Sequence, residues 1–244
     1  MKCLILAAGY ATRLYPLTEN FPKPLLKVGN KTILDHLVDD LAAHKSIDEF
    51  IVISNHKFAE YFEKWKEQKA ELPITIVDDG TTSNENRLGA VRDIELAISQ
   101  LKLDDDMLVI AGDNVLDFSL GLFVDFAKQK GASCVMCHEE NDLKKQQKTA
   151  IVEIDPCGKI LSYEEKPKVP KANLAVPPFY FYRKCDIKRV TEALNSGCGA
   201  DAPGSFAAWL SKETAMYAYQ MPGKRYDIGD LNSYEYAQRI FDNR

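Results

Sequence analysis

Three short stretches of the chain place cations beside small or rigid residues in a way suited to holding phosphate. The first is Leu6-Ala7-Ala8-Gly9-Tyr10-Ala11-Thr12-Arg13-Leu14, which follows an apolar run. Residues as small as Ala8 and Gly9 let the backbone approach a phosphate closely, with N–H groups able to point at its oxygens. Arg13 adds a planar, permanently charged fork. The second is Phe21-Pro22-Lys23-Pro24-Leu25, where prolines restrict the backbone on both sides of Lys23 and pre-organise it as a point charge. The third is Tyr163-Glu164-Glu165-Lys166-Pro167, in which Lys166 could hold a phosphate and Glu165 a substrate hydroxyl. Taken singly, each stretch also reads as a solvated turn or strand end.

Two aspartates add a second kind of chemistry. Val109-Ile110-Ala111-Gly112-Asp113-Asn114 reads as an apolar strand that delivers Asp113 at its carboxyl end, and Arg225-Tyr226-Asp227-Ile228-Gly229 offers Asp227 ahead of a last helix. Magnesium takes oxygen ligands, usually one or two protein carboxylates with the rest from water and substrate phosphates. If Asp113 and Asp227 converge, they suit Mg2+; otherwise each is an ordinary turn aspartate. Gly29-Asn30-Lys31-Thr32 lacks the adjacent Gly-Lys of a Walker loop, and no G-x-G-x-x-G follows the first strand. Kinase and dehydrogenase readings lose their main support.

Elements must hold these residues in place. Apolar runs predict strands over 2–7, 50–54, 74–77, 107–111 and 132–138, and amphipathic spacing predicts helices over 32–44, 58–68, 89–101 and 120–130. Thr32 to His44 puts Ile33, Leu34, Leu37, Val38 and Leu41 on one face, and the next helix does the same with Phe58, Tyr61, Phe62 and Trp65. Strand–helix alternation implies a Rossmann-like α/β fold, a mostly parallel mixed sheet with helices on both faces. From 150 onward the rhythm changes. A hairpin is expected over 150–164 around Asp155-Pro156-Cys157-Gly158, with further strands at 179–182 and 215–220 and helices at 187–195, 206–212 and 231–241. The expected organisation is a single catalytic domain, with 1–115 as a nucleotide-binding half and 116–244 as an acceptor-binding half. Ligands in such sheets bind beyond the carboxyl ends of the strands, which directs attention to the residues after Ala7, Val77 and Ala111.

The whole chain bounds the partners. A formal net charge of -5 over 244 residues argues against nucleic acid, while a small phosphate ligand needs only a few local cations. No run is long enough to cross a bilayer, so no membrane partner is expected, and the leading apolar run is too short for a secretory signal. Most of the six cysteines sit in apolar surroundings, which fits buried thiols and a cytoplasmic location. Cys134-Val135-Met136-Cys137 has C-x-x-C spacing, yet residues three apart on a strand face opposite sides and no second pair completes a zinc site. Core cysteines are the expectation there. Self-association as a homo-oligomer stays open.

Together the motifs Leu6-Ala7-Ala8-Gly9-x-Ala11-Thr12-Arg13-Leu14, Phe21-Pro22-Lys23-Pro24-Leu25, Gly112-Asp113-Asn114, Glu165-Lys166-Pro167 and Asp227-Ile228-Gly229 resemble the sugar-phosphate nucleotidylyltransferases. That family includes glucose-1-phosphate thymidylyltransferase and mannose-1-phosphate guanylyltransferase. The resemblance spans nearly the whole chain and is more specific for the family than for the substrate. It implies that Ala8, Gly9, Arg13 and Lys23 grip a nucleoside triphosphate, with Gly112 nearby, and that Asp113 and Asp227 bind Mg2+. Lys166 would hold the acceptor phosphate and Glu165 a sugar hydroxyl. Ala150 and Val176 would line the sugar pocket, and Asn84 and Gly89 would meet the base. The chain departs from the family at Asn84, where glutamine is usual, and at Ala11, where glycine is common. It departs again at Thr149-Ala150 in place of tyrosine-glycine and at Pro177-Pro178 in place of threonine-glycine. The implied reaction joins a nucleoside triphosphate to a sugar 1-phosphate, and a pyrimidine base is expected to be preferred. The altered sugar-pocket segments motivate one alternative, a cytidylyltransferase for a non-sugar phosphate such as a phosphorylated amino alcohol. Another class of alternative is a non-catalytic nucleotide-binding regulatory subunit, against which the retained Arg13, Lys23, Asp113, Lys166 and Asp227 argue. A glycosyltransferase would more often show Asp-x-Asp than Gly112-Asp113-Asn114.

Overall fold

The protein is described by a computed structural model covering residues 1–242. Its first elements are β1 (Lys2–Leu6), β2 (Lys27–Val28), β3 (Lys31–Thr32), α1 (Ile33–His44), β4 (Glu49–Ser54), α2 (Ala59–Glu67) and β5 (Ile74–Asp78). There follow α3 (Ala90–Leu101), β6 (Met107–Ala111), β7 (Asn114–Leu116), α4 (Gly121–Lys130), β8 (Cys134–Glu139), α5 (Leu143–Gln146), β9 (Ala150–Ile154) and β10 (Ile160–Glu165). The last are β11 (Leu174–Val176), β12 (Phe179–Tyr182), α6 (Lys184–Ile187), α7 (Val190–Asn195), α8 (Gly204–Glu213), β13 (Tyr217–Gln220), β14 (Arg225–Asp227) and α9 (Leu231–Phe241). This is a mixed α/β fold made of two compact units. The first comprises Met1–Leu88, Ala111–Gly121 and the stretch from Gly223 on; the second comprises Gly89–Ile110 and Leu122–Pro222.

In the first unit β1, β4 and β5 lie side by side and parallel, with β4 in the middle. Buried apolar residues at nearly every position of β1 and β4 explain why they read as continuous runs. Helix α1 starts at a reciprocal cap: the Thr32 hydroxyl accepts from Asp35 N–H and the Asp35 carboxylate from Thr32 N–H. Its buried stripe is Ile33, Leu34, Leu37, Val38 and Leu41, as the spacing predicts. On α2 Phe62 and Trp65 are buried, whereas Tyr61 is partly exposed and instead meets the Phe21 ring edge-on. A small core of Leu14, Val28, Ile33, Val115, Ile228 and Ala237 ties the three sequence stretches of this unit together. The antiparallel pair β7–β14, which the sequence pattern does not predict, belongs to the same unit.

The second unit is mainly antiparallel, in the order β10-β9-β11-β8-β12-β6, with β13 added parallel to β8. The expected hairpin is β9–β10. Its turn is closed by Asp155 Oδ1, which accepts from Cys157 and Lys159 N–H, and by Gly158 at φ 80°. The helix expected over 187–195 is α7, which starts at Val190, and a separate short helix α6 precedes it and ends at Ile187. Cys134 and Cys137 are both buried, and burial pushes each thiol up to about 12, so they are inert core residues. Cys3 is buried as well, but Cys157 and Cys185 are exposed and Cys198 is half-buried, so fewer thiols are internal than their surroundings predict. Among the described residues no helix is long and apolar enough to cross a membrane.

Candidate active site

Strand β1 ends at Leu6, and the backbone then runs through Ala8 and Gly9 into a single 3-10 turn at Thr12–Leu14. The buried Asn55, after β4, pins this loop: its Nδ2 donates to Ala8 O at 3.0 Å while its Oδ1 accepts from Phe58 N–H at 3.1 Å. A Cβ on Gly9 would meet nothing within 4 Å, so the face of the loop at Gly9 is open. Ala11 adopts φ 46°, ψ 42°, a left-handed conformation that explains why glycine suits this position. Arg13 is exposed, and its Nη2 lies 3.9 Å from the point where a Cβ on Gly229 would sit. The same cation reaches Asp230: hydrogen bonds from Ser233 hold that carboxyl below its ordinary range, and the Arg13 charge helps.

The other groups form a hydrogen-bonded string. Lys23 begins a 3-10 turn after Pro22, and its side chain is only 9% exposed, not solvated. Its Nζ donates to Asp113 Oδ2 at 2.8 Å. The other carboxylate oxygen, Asp113 Oδ1, accepts from Asn114 Nδ2 at 2.7 Å. Asn114 Oδ1 in turn accepts from Arg225 Nη1 at 2.7 Å, and Arg225 Nη1 lies 3.5 Å from Asp227 Oδ2. The backbone brings the two aspartates together. Asp227 pairs with Asn114 in the β7–β14 ladder, and Ile228 N–H donates to Asp113 O at 3.1 Å. Burial pushes the Asp113 carboxyl up, but the Lys23 ammonium, with Arg225 behind it, outweighs that and holds it below the ordinary aspartate range. Gly112 is packed closely: its N–H donates to Leu6 O at 3.0 Å, and a Cβ would come within 3.1 Å of Ile5 and 3.4 Å of Pro24. Arg225, Asn114 and Asn55 escape the sequence reading as functional residues. Arg225 was legible in principle, since residues two apart on a strand share a face and it precedes Asp227 by two.

Two carboxylates on neighbouring strand ends, with Lys23 beside Asp113 and Arg225 beside Asp227, match the donor set of a magnesium ion that also takes phosphate oxygens. The buried ammonium on Asp113 marks the place where positive charge is stabilised.

The second unit holds the residues expected to meet the acceptor. Ala150, Glu165 and Val176 come from three separate strands and fall in one register row: β9 pairs Ala150 with Glu165 of β10 on one side and with Val176 of β11 on the other. Directly opposite residues share a face, so the three side chains line one patch. Thr149 Oγ1 donates to Val176 O at 3.2 Å, and Lys166 N–H donates to Thr149 O at 3.1 Å. Lys166 takes φ 49° and its side chain is exposed. Glu165 Oε2 is buried with no hydrogen-bond partner, and burial raises its carboxyl while Lys166 pulls it down. Gly204, the first residue of α8, lies against this carboxylate; a Cβ there would come 2.2 Å from Glu165 Oε2. The Tyr182 hydroxyl, also in this unit, is likewise buried without a partner.

The residues expected at the base sit differently. Asn84 Oδ1 accepts from Arg87 Nη1 at 3.0 Å, within a loop whose backbone is held by Asn86 Oδ1 bonded to Thr82 and Ser83 N–H. Gly89 caps α3 at φ 92°, and a Cβ would come 2.7 Å from Ala200 O and 2.9 Å from Asp201 Cα. Packing alone therefore requires glycine at this position.

A loop open at Gly9, buried and exposed cations, and paired carboxylates at strand ends define an enzyme that handles phosphoryl groups. The family described as nucleotidyl transferase matches residues 2–243, and the chain belongs to that family. A UTP–glucose-1-phosphate uridylyltransferase of Haloferax volcanii is 27% identical over 238 residues, covering 94% of this chain and 91% of that protein. Mannose-1-phosphate guanylyltransferase 1 of Arabidopsis thaliana is 27% identical over 245 residues, covering 99% of this chain but 64% of that protein. The chain thus spans less than two thirds of this longer relative. Among solved structures, a Bacillus anthracis protein assigned as a glucose-1-phosphate thymidylyltransferase superposes with a TM-score of 0.84 at 26% identity, covering 100% of this chain and 96% of that one. The family expected from the sequence motifs is borne out.

Proposed function

We propose that the protein joins a nucleoside triphosphate to a sugar 1-phosphate, giving a nucleotide sugar and pyrophosphate. The observation that carries this reading is the string Lys23–Asp113–Asn114–Arg225–Asp227, which sets a cation against each of two carboxylates at the ends of strands. The Ala8–Gly9 loop, Arg13 and Lys23 grip the triphosphate, and Asp113 and Asp227 hold Mg2+. When bound, the ion supplies charge neutralisation for the phosphates and for the leaving pyrophosphate. Lys166 holds the acceptor phosphate, Glu165 accepts a sugar hydroxyl as its hydrogen-bond donor, and Ala150 and Val176 floor the same row. One acceptor phosphate oxygen attacks the α-phosphorus, a new P–O bond forms, and the bond to the β-phosphate breaks in line. No general base is required, because the attacking oxygen is already ionised. Catalysis is positioning and electrostatics. Asn84 meets the base: with Oδ1 held by Arg87, its Nδ2 is left to donate to a carbonyl oxygen, which the pyrimidine bases and guanine carry and adenine does not.

A pyrophosphate-release screen tests the reading: each common nucleoside triphosphate against a panel of sugar 1-phosphates and amino-alcohol phosphates, with and without excess chelator. Release with a sugar 1-phosphate, abolished by chelator, is the expected result. Release only with amino-alcohol phosphates would replace the acceptor assignment. A purine triphosphate preference unchanged in Asn84→Ala would displace the base site.

A further inference from the structure

Two carboxylates that must share one ion have to be held at a fixed spacing before the ion arrives. Asp113 and Asp227 lie far apart in sequence; Lys23 holds one oxygen of Asp113, and backbone pairing alone sets the rotation of neither side chain. One side chain touches the network on both sides. Arg225, 20% exposed, donates through Nη1 to Asn114 Oδ1 at 2.7 Å and stands 3.5 Å from Asp227 Oδ2. Asn114 is fully buried and passes the contact on, its Nδ2 donating to Asp113 Oδ1 at 2.7 Å. Its amide suits this place because it accepts on one side and donates on the other; a carboxylate there would face Asp113 with like charge, and an aliphatic side chain would do neither.

We propose that Arg225 is a positioning residue that sets both metal-binding carboxylates at once, Asp227 directly and Asp113 through Asn114. The inference rests on the reading of Asp113 and Asp227 as the metal ligands. It makes a prediction opposite in sign to that of charge alone. A guanidinium beside a cation site repels a divalent ion, so on Coulombic grounds its removal tightens metal binding. If Arg225 positions the ligands, its removal loosens them, as loss of a supporting hydrogen-bond partner typically costs about 10–100-fold in metal affinity.

Mn2+ titration of the full-length protein, followed by the electron paramagnetic resonance of the free ion, separates the two. Arg225→Met should weaken Mn2+ binding about tenfold or more. Arg225→Lys, which keeps a cation with several N–H donors, should recover most of the loss. Asn114→Leu keeps the charge and breaks the link to Asp113, and it should weaken binding as well; it decides the matter should Arg225→Met fail to fold by circular dichroism. Equal or tighter Mn2+ binding by Arg225→Met, or by Asn114→Leu where that variant decides, overturns the proposal. Asp227→Asn keeps this failure distinct from failure of the underlying reading. If Asp227→Asn loses binding and Arg225→Met does not, only the positioning role falls; if Asp227→Asn binds Mn2+ like the wild type, the carboxylate site falls with it.

Discussion

Replacing Lys23 by methionine removes the ammonium and keeps most of the side-chain volume. Asp113 then keeps the Asn114 hydrogen bond at its Oδ1 and loses the ion pair at Oδ2. The cost lies between two limits. Fully exposed ion pairs contribute about 0.2–1 kcal/mol, and breaking a buried pair costs about 3–5 kcal/mol. The Lys23 side chain is 9% exposed and that of Asp113 37%, which places the pair between these limits, at about 2 kcal/mol. For a chain of this size that lowers the melting temperature by about 4–8 °C. Lys23→Met with Asp113→Asn should lose less than the two single variants added together, because the charge stranded by the first is removed by the second. The pH dependence has a definite sign. Against the upward push of burial, Lys23 holds the Asp113 carboxyl down in the folded state. The difference between wild type and Lys23→Met is therefore full at pH 7 and closes as the pH falls through the folded Asp113 value. Thermal melts of the four proteins from pH 7 downward measure all of this. A Lys23→Met melting temperature equal to that of the wild type at pH 7, or strictly additive losses, would refute the argument.

Four further outcomes follow from the same geometry. Ala11→Gly relieves a left-handed alanine, worth about 1–2 kcal/mol, against about 0.5–1 kcal/mol of added chain freedom, so thermal melts should rise, by up to about 6 °C. Gly89→Ala should cost about 2–5 kcal/mol in denaturant titrations, since it adds strain at φ 92° to a collision with the Ala200–Asp201 backbone. Gly204→Ala presses on the ends of the Glu165 and Tyr163 side chains rather than on backbone, so it should lower the melting temperature by only about 2–4 °C while raising the acceptor KM about tenfold. Asp227→Asn should cut turnover by about a hundredfold or more with an unchanged circular dichroism spectrum, and near-normal turnover would remove Asp227 from the site.

Much of the first unit is legible in its sequence, because buried strands and one-sided helices leave strong patterns. The stripe of α1 and the strands β1, β4 and β5 are read nearly to the residue. The β7–β14 pair is not, because three-residue strands carry too little pattern and their pairing joins segments more than a hundred residues apart. The same limit hides Asn114 and Arg225 among ordinary polar residues: their importance lies in whom they touch. The family resemblance singles out Ala150, Glu165 and Val176, and the structure puts the three in one register row that no local signal could reveal. Gly89, which the resemblance places at the base, has a second reason to be glycine that the sequence does not reveal, its packing against Ala200 and Asp201.

The stitching of the first unit also has a consequence for the newborn chain. Lys23 and Asp113 leave the ribosome well before Asp227, and at about 5–20 residues per second the intervening stretch takes roughly 6–23 s to synthesise. Until then β7 lacks its partner strand, Asn114 lacks the guanidinium that β14 brings, and Lys27 O lacks the Tyr234 and Gln238 donors of α9. A chain that ends before β14 contains the parallel strands β1, β4 and β5 yet only one of the two carboxylates. The string proposed to hold the ion is thereby complete only once translation has passed β14.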